Sequence, residues 1–338
     1  MRIALIGNYG HQSLVIRSVE AVEGTQITGL EGFDEKYLEN LRQRCPRAAQ
    51  GAKLYPDLKT LLNDDNFDIA SICTRFGEHT FPLLLSAEKG KHIIVEKPVA
   101  TELADLEEVR QKVKEAGVQL TAMLPMRYGA PYRKAKEVVD EGTIGEVLHM
   151  WSQKSYKYGT RGDWMQKREF YGGTIPWVGI HAFDYMRWTS GREYKAVAAF
   201  HGTVGNPADG ELEMVSGVSF QLDNGGTALT SIDYLNPDAA PAHGDDRLRL
   251  AGTLGTVEVY DFGTKARLIT KDEPPRELEL PEKDPHGFLR DFILRIEEDQ
   301  DVGISAEDSF WLTEVSIKAR ISADEGRVIP LFKPPAAE

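Results

Sequence analysis

The sequence predicts a two-part chain: an α/β N-terminal part on a doubly wound parallel sheet, and an α+β C-terminal part on a large, mostly antiparallel open sheet. Three observations predict it. Over the first 120 residues, short apolar strands alternate with helices of ~10 residues, which calls for right-handed crossovers and parallel pairing. Beyond residue 147 the strand candidates lengthen and follow one another, with Asn224-Gly225 as a hairpin signal between two of them. The 338 residues leave room for two cores at ~150 residues per domain.

In order, Ile3–Ile6 reads as a strand, Ser13–Glu23 as a helix, Thr25–Leu30 as a strand and Lys36–Arg44 as a helix. Tyr55–Asn63 reads as a short helix and Phe67–Thr74 as a buried strand. His79–Lys89 is a helix stopped by Gly90, His92–Val95 a strand, Ala104–Ala116 a helix stopped by Gly117, and Val118–Met123 a strand. The pattern changes near residues 122–126, which divides the chain into 1–123 and 124–338. After a helix over Pro131–Glu141, strands are expected at Val147–Tyr156, Tyr194–Thr203, Met214–Leu222, Gly226–Asp233, Asp246–Ala251, Thr256–Tyr260 and Ala266–Thr270. One helix, Gly179–Thr189, interrupts them, and His286–Glu298 and Ala306–Glu325 close the chain. Pro334-Pro335 is expected to fray.

The 40 Lys and Arg residues face 53 Asp and Glu, a net charge of −13. Such a surface repels phosphate backbones, which argues against nucleic acid as a partner. The two cysteines, Cys45 and Cys73, are too few for a disulfide framework and suit a reducing compartment. The N-terminus lacks a signal-peptide pattern, and no run of ~18 apolar residues exists to span a membrane. A cytoplasmic location follows as the expectation. No His or Cys pair sits at ligand spacing, so no metal is called for.

Gly7-Asn8-Tyr9-Gly10-His11-Gln12-Ser13 joins the first strand to the first helix. A Rossmann dinucleotide turn places glycines at its first, third and sixth positions. Here those later places hold Tyr9 and Gln12. One inserted residue restores much of the pattern: Gly7 makes the turn, Gly10 lets the backbone approach a pyrophosphate, and Ser13 is the small residue where helix meets strand. The helix N-terminus then points N–H groups at the phosphates. An ordinary strand-to-helix turn is the competing reading. Glu31, at the end of the second strand, can accept from ribose hydroxyls and repels a 2′-phosphate, which favours NAD over NADP. Asp34 is its rival for that role.

Later blocks are more specific. Phe67 to Thr74, followed by Arg75-Phe76-Gly77-Glu78-His79, then Gly90-Lys91-His92 to Glu96-Lys97-Pro98-Val99-Ala100, resemble the glucose–fructose oxidoreductase and inositol dehydrogenase (Gfo/Idh/MocA) family. Arg75 stands where that family has proline. Arg127, the Glu141–Glu146 segment, Gly172-Gly173 to Asp184, and Gly252-Thr253-Leu254-Gly255 continue the resemblance in order over essentially the whole chain. It implies an NAD(P)-binding Rossmann domain over 1–123 and a substrate-binding and oligomerisation domain over 124–338. It also implies contacts to the cofactor from Gly7, Asn8, Tyr9, Gly10, His11, Glu31, Thr74, His79, Glu96 and Lys97, and catalysis by Lys97 and His181. A solvated charge at a strand end and a core histidine are the plainer readings of those two. The acid usual one helical turn before the histidine is here Trp177, which either walls a sugar ring or fills the core. Arg127, Tyr158, Trp164, Trp177 and Asp184 are substrate candidates, with Asp163 and Lys167 in the same loop.

The function implied is hydride transfer between a nicotinamide and a secondary alcohol of a sugar, cyclitol or derivative. Two alternatives stand beside it: glycosidic cleavage with transient use of bound NAD, and a non-catalytic dinucleotide-sensing protein that binds a partner. The open sheet has one face to cover, which predicts a homodimer or homotetramer.

Overall fold

The computed structural model describes residues 1–333, so the expected fraying of Pro334-Pro335 lies outside the described residues. The chain forms two compact units, Met1–Pro125 with Pro285–Thr313, and Met126–Asp284 with the chain from Glu314 onward.

The first unit opens with β1 (Arg2–Ile6), α1 (Gln12–Val19), β2 (Gln26–Glu31), α2 (Glu35–Arg44), β3 (Lys53–Tyr55) and α3 (Leu58–Asp64). It continues with β4 (Ile69–Ile72), α4 (Thr80–Glu88), β5 (His92–Val95), α5 (Leu103–Ala116) and β6 (Leu120–Ala122). Its sheet runs β3-β2-β1-β4-β5-β6, all parallel. Strand order reverses between β1 and β4, the point at which doubly wound sheets open a crevice for ligands. Ile3, Ala4, Leu5, Ile69 and Ala70 are fully buried, as strands covered by helices on both faces require.

Two local expectations needed correction. Helix α1 stops at Val19 rather than running to Glu23. Its last carbonyls are taken by side chains from elsewhere: the Thr25 hydroxyl donates to Val19 and Val22, and the Arg47 guanidinium to Val19, Glu20 and Val22. The stretch read as one helix from Tyr55 begins as the three-residue strand β3, paired with β2, and becomes helical at Leu58 with Asp57 as its cap.

The second unit contains α6 (Ala130–Asp140), β7 (Val147–Tyr156), α7 (Arg168–Tyr171), α8 (Ile180–Ser190), β8 (Tyr194–Gly202), β9 (Val215–Leu222) and β10 (Thr227–Asp233). Next come β11 (Gly244–Gly252), β12 (Gly255–Tyr260), β13 (Lys265–Thr270) and β14 (Arg276–Glu277). The chain ends with α9 (Gly287–Glu298), α10 (Ala306–Glu325) and β15 (Ile329–Pro330). Nine strands form one sheet, β14-β13-β12-β11-β7-β10-β9-β8-β15. The hairpin at Asn224-Gly225 joins β9 to β10, and the Asn224 amide also reaches across to the Val147 carbonyl at 3.0 Å. The sheet departs from the antiparallel expectation at one pair: β7 and β10 run parallel. Two helices and two strands intervene between them, so the return is a crossover rather than a hairpin.

Phe220 packs edge-on to Phe183 at 4.9 Å and stacked on Tyr194 at 4.2 Å, contacts worth about 0.5–1.5 kcal/mol each beyond burial. Phe200 on β8 is exposed, as are Val204 and Leu235 just beyond the ends of β8 and β10.

The C-terminal segment also differs from the expected division at 123/124. Residues 285–313 belong to the first unit, where α9 packs on α1. Helical periodicity shows which face of α9 is apolar, but not which surface receives it.

Candidate active site

In the first unit the turn after β1 is built on Gly7, whose φ is +74°. A Cβ there would lie 2.6 Å from the Cys73 carbonyl oxygen, so no other residue fits this crossing of β1 and β4. Tyr9 N donates to that same carbonyl at 2.7 Å. Asn8, Tyr9 and Gly10 form the solvent-facing part of the loop.

Ser13 does not occupy the helix–strand contact assigned to it from sequence; it is exposed. Gln12 does, at 1% exposure. Its amide nitrogen donates to the Gly7 and Ser71 carbonyls at 3.1 and 2.8 Å, and its amide oxygen accepts from the Ser71 hydroxyl at 2.7 Å. A side chain that satisfies backbone groups replaces the close approach a small residue would give.

The N–H at the start of α1 is also directed differently from the expectation. His11 N donates to the Glu96 carboxylate at 2.7 Å, and the His11 ring Nδ1 lies 2.8 Å from the same oxygen. Gly10 makes room for this: a Cβ there would stand 2.7 Å from Glu96 Oε2. Glu96 is fully buried, at the end of β5, and Lys97 Nζ lies 3.3 Å from its other oxygen. Burial alone would raise the Glu96 pKa. The charges of His11 and Lys97 and the His11 hydrogen bonds outweigh it and hold the carboxyl at about 2. Lys97 is itself 2% exposed. The chain after it is fixed by Thr313, whose hydroxyl accepts from Val99 N at 3.2 Å.

His79 does not face the crevice as expected. It is fully buried, with Nδ1 3.0 Å from the Pro98 carbonyl and Nε2 3.3 Å from the Thr74 carbonyl. Burial lowers its pKa, and the ring ties the Thr74 turn to the Lys97-Pro98 turn. Beside that turn lies a cavity of about 640 Å³, walled by Ile6, Leu58, Phe81 and Pro82, with Glu31, Thr74 and Glu78 among its polar lining. Burial, then the nearby Asp57 charge, push the Glu31 carboxyl up. Of the two rivals, Asp34 caps α2, accepting from Tyr37 N at 2.7 Å, while Glu31 lines the cavity. Arg75 is clasped by Glu78, with Nε 2.8 Å from Oε2.

In the second unit, Trp177 does not stand one α-helical turn before His181. Ile175–Gly179 is a π-helical turn leading into α8, a feature often found at functional sites. Trp177 and His181 are 9% and 5% exposed. Trp177 meets Tyr171 edge-on at 5.6 Å and lies 6.5 Å from Tyr234. The hydroxyls of Tyr171 and Tyr234 are 2.8 Å apart. Tyr158 joins this group, edge-on to Tyr234 at 6.3 Å, and its hydroxyl accepts from Gln166. Trp164 lies in the short 3-10 turn Asp163–Gln166, half-buried, while Asp163 and Lys167 are exposed.

Arg127 and Asp184, expected to meet substrate, meet each other. Arg127 Nε and Nη2 donate to Asp184 Oδ1 at 2.8 and 2.6 Å, with the residues 6% and 1% exposed. A buried pair of this kind holds α8 to the segment before α6. Breaking one partner of such a pair costs about 3–5 kcal/mol.

Sequence reasoning missed Arg161, Tyr171, Tyr234 and Lys154. Arg161 lies over the Tyr234 ring at 4.5 Å and the Trp177 ring at 5.4 Å. Lys154 is fully buried and paired with Asp246 at 2.7 Å. A signal for Lys154 did exist: it sits in phase with Met150 and Ser152, the buried face of β7, where a charge has to have a partner.

Two family models match the chain. Residues 1–123 match the oxidoreductase family with an NAD-binding Rossmann fold, and 132–258 match the GFO/IDH/MocA C-terminal domain. A solved oxidoreductase from Thermotoga maritima is 38% identical, covers 98% of this chain and all of its own, and superposes with a TM-score of 0.89. The chain belongs to the GFO/IDH/MocA oxidoreductase family. Among relatives, a myo-inositol 2-dehydrogenase from Thermotoga maritima is 24% identical over 98% of both chains. A levoglucosan dehydrogenase solved with NADH and L-sorbose is 16% identical, covers 99% of each chain, has a TM-score of 0.84, and shares the fold.

As a GFO/IDH/MocA member the chain is an NAD-dependent oxidoreductase, and the first unit fits the dinucleotide. The cavity beside β1 and β4 offers apolar walls for a flat base and the Glu31 carboxylate for ribose hydroxyls. Thr74 Oγ1 in its lining is buried without a hydrogen-bond partner among the described residues, as an atom awaiting a ligand would be. Among the described residues no group of His, Cys, Asp or Glu is placed to hold a metal ion, and no helix is long and apolar enough to cross a membrane.

Proposed function

We propose that the protein transfers hydride between NAD and a secondary alcohol of a sugar, cyclitol or derivative, with Lys97 and His181 handling the hydroxyl proton. The observation that carries this reading is Lys97: an ammonium withdrawn from solvent, held by a carboxylate withdrawn further, at the end of β5 in an NAD-binding unit. When bound, the nicotinamide supplies the hydride chemistry. The Lys97 ammonium polarises the substrate oxygen, and its charge opposes accumulation of a second proton there. The His181 imidazole accepts the proton. Trp177 cannot supply the acid usual in its place. The names of the inositol and levoglucosan dehydrogenases support the substrate class. Glu31 supports NAD over NADP.

The test is nicotinamide absorbance during a screen of sugars and inositols with NAD. Turnover of at least one polyol is expected. No turnover with any would move the reading to a dinucleotide-sensing protein. The proposal extends to assembly: a second copy covers the surface that exposes Phe200, Val204 and Leu235, giving a homodimer or homotetramer. Light scattering that finds only monomer at micromolar concentration would refute it. The buried free thiols Cys45 and Cys73 support a reducing compartment, the cytoplasm.

A further inference from the structure

The charge near Trp177 is unbalanced. Arg161 lies between β7 and the 3-10 turn Asp163–Gln166, with its guanidinium held over the rings of Tyr234 and Trp177. One Nη donates to the Lys157 carbonyl at 3.1 Å. Its Nε is buried without a hydrogen-bond partner, and no carboxylate among the described residues pairs with it. Lys157 is similarly placed: its ammonium donates to the Asp238 and Ala240 carbonyls, each at 2.7 Å, and not to a carboxylate. Of the three cations here only Lys154 has an anion, Asp246. Arg161 and Lys157 thus keep cationic donors unmatched by a carboxylate in a chain of net charge −13, and such donors attract anions. His243 registers the same field, since burial and then the Arg161 charge hold its pKa down.

A guanidinium whose faces are covered by rings keeps its edge for hydrogen bonding. That edge is a planar fork of N–H donors, matched by an anion with two oxygens in a plane. We propose that Arg161 is a specificity-determining residue that recognises a carboxylate on the substrate, so that the preferred substrates are sugar acids rather than neutral sugars. This rests on the dehydrogenase reading above and names its substrate class.

The experiment compares D-glucuronate and D-galacturonate with D-glucose and D-galactose, and adds D-glucose 6-phosphate as a second anion. It measures kcat/KM with NAD and, separately, calorimetric binding of D-glucuronate to the protein, for the natural sequence, Arg161→Gln and Arg161→Lys. The uronates are expected to exceed the neutral sugars by about 10²-fold. Arg161→Gln is expected to lose that advantage and the calorimetric signal, its kcat/KM falling much further on the uronates than on the neutral sugars. Arg161→Lys keeps the charge but not the fork and falls between. Equal treatment of acids and neutral sugars by the natural sequence overturns the proposal. So does an equal loss on both classes in Arg161→Gln, which marks a structural residue. Preference for the phosphate over both uronates overturns the carboxylate assignment. Uronate binding abolished by Arg161→Gln, without nicotinamide turnover of any sugar, supports the carboxylate site and defeats the dehydrogenase reading. Absence of both binding and turnover overturns this one.

Discussion

The Glu96 carboxylate of the first unit and the Arg161 guanidinium of the second are both drawn in from solvent, and they are answered differently. Glu96 is fully buried and met on both oxygens, by Lys97 and by the ring and backbone of His11. Arg161 is met by two aromatic faces and one carbonyl. Burying a charge costs several kcal/mol unless other groups replace the lost water. Where the chain supplies those groups itself, the arrangement stands without a ligand and serves as architecture. Where it supplies rings instead, the remaining donors are left for whatever enters. The comparison separates residues that shape the site from residues that select what binds in it.

The largest test of the contrast removes the groups proposed to do chemistry. Lys97→Met and His181→Ala should each lower turnover by about 10²–10⁴-fold, the usual cost of losing a proton-handling group. NAD affinity, followed by calorimetry, should remain nearly unchanged. A variant that loses cofactor binding together with turnover would place its residue on the architectural side.

Next in size is Glu96→Gln, which leaves Lys97 buried without its carboxylate. Urea unfolding at pH 7 should show a loss of about 3 kcal/mol. The pH dependence follows from sign. The folded pKa of Glu96, about 2, lies below its ordinary value of 4.5, so its contribution is fully present above that value and is lost as pH falls toward the folded one. The stability curves of the natural and variant proteins should therefore converge through that window. A difference that persists unchanged at low pH would mean that the charge is not what the site depends on.

The smallest effect is expected at Glu31. Replacing it with alanine should narrow the preference for NAD over NADP by about tenfold, or 1.4 kcal/mol. Equal or tighter NADP binding in the natural protein would remove this carboxylate from cofactor selection.

Much of the fold was legible because strong periodicity needs no long-range information. Strand β7 and helix α10 match their sequence-read limits, Val147–Tyr156 and Ala306–Glu325. What escaped depended on partners distant in the chain. Three residues suffice for β3 only because β2 is waiting. The parallel pairing of β7 with β10 leaves no local trace, nor does the end of α1, which is set by Arg47. The site was legible in the same uneven way. Residues in contiguous blocks, Gly7 to His11 and Glu96-Lys97, were found. Arg161, Tyr171 and Tyr234 were not, because their meeting at Trp177 joins a loop, the end of α7 and the end of β10. The spacing of Ser13 invited a role that the length of Gln12 takes instead.

The return of residues 285–313 to the first unit has a consequence for how the protein is made. A ribosome releases the six parallel strands early, yet the segment carrying α9 and the start of α10 follows only after the nine-stranded sheet has largely been translated. Until then the α1 surface that α9 covers stays bare, and the main-chain amides of Val99 and Ala122 lack the hydroxyls of Thr313 and Ser309 that accept from them. A fragment cut at residue 123, where its family match ends, would carry those same open places permanently. Such a piece should be prone to aggregation. Joined through a short linker to residues 285–313, it would have what it needs to stand alone.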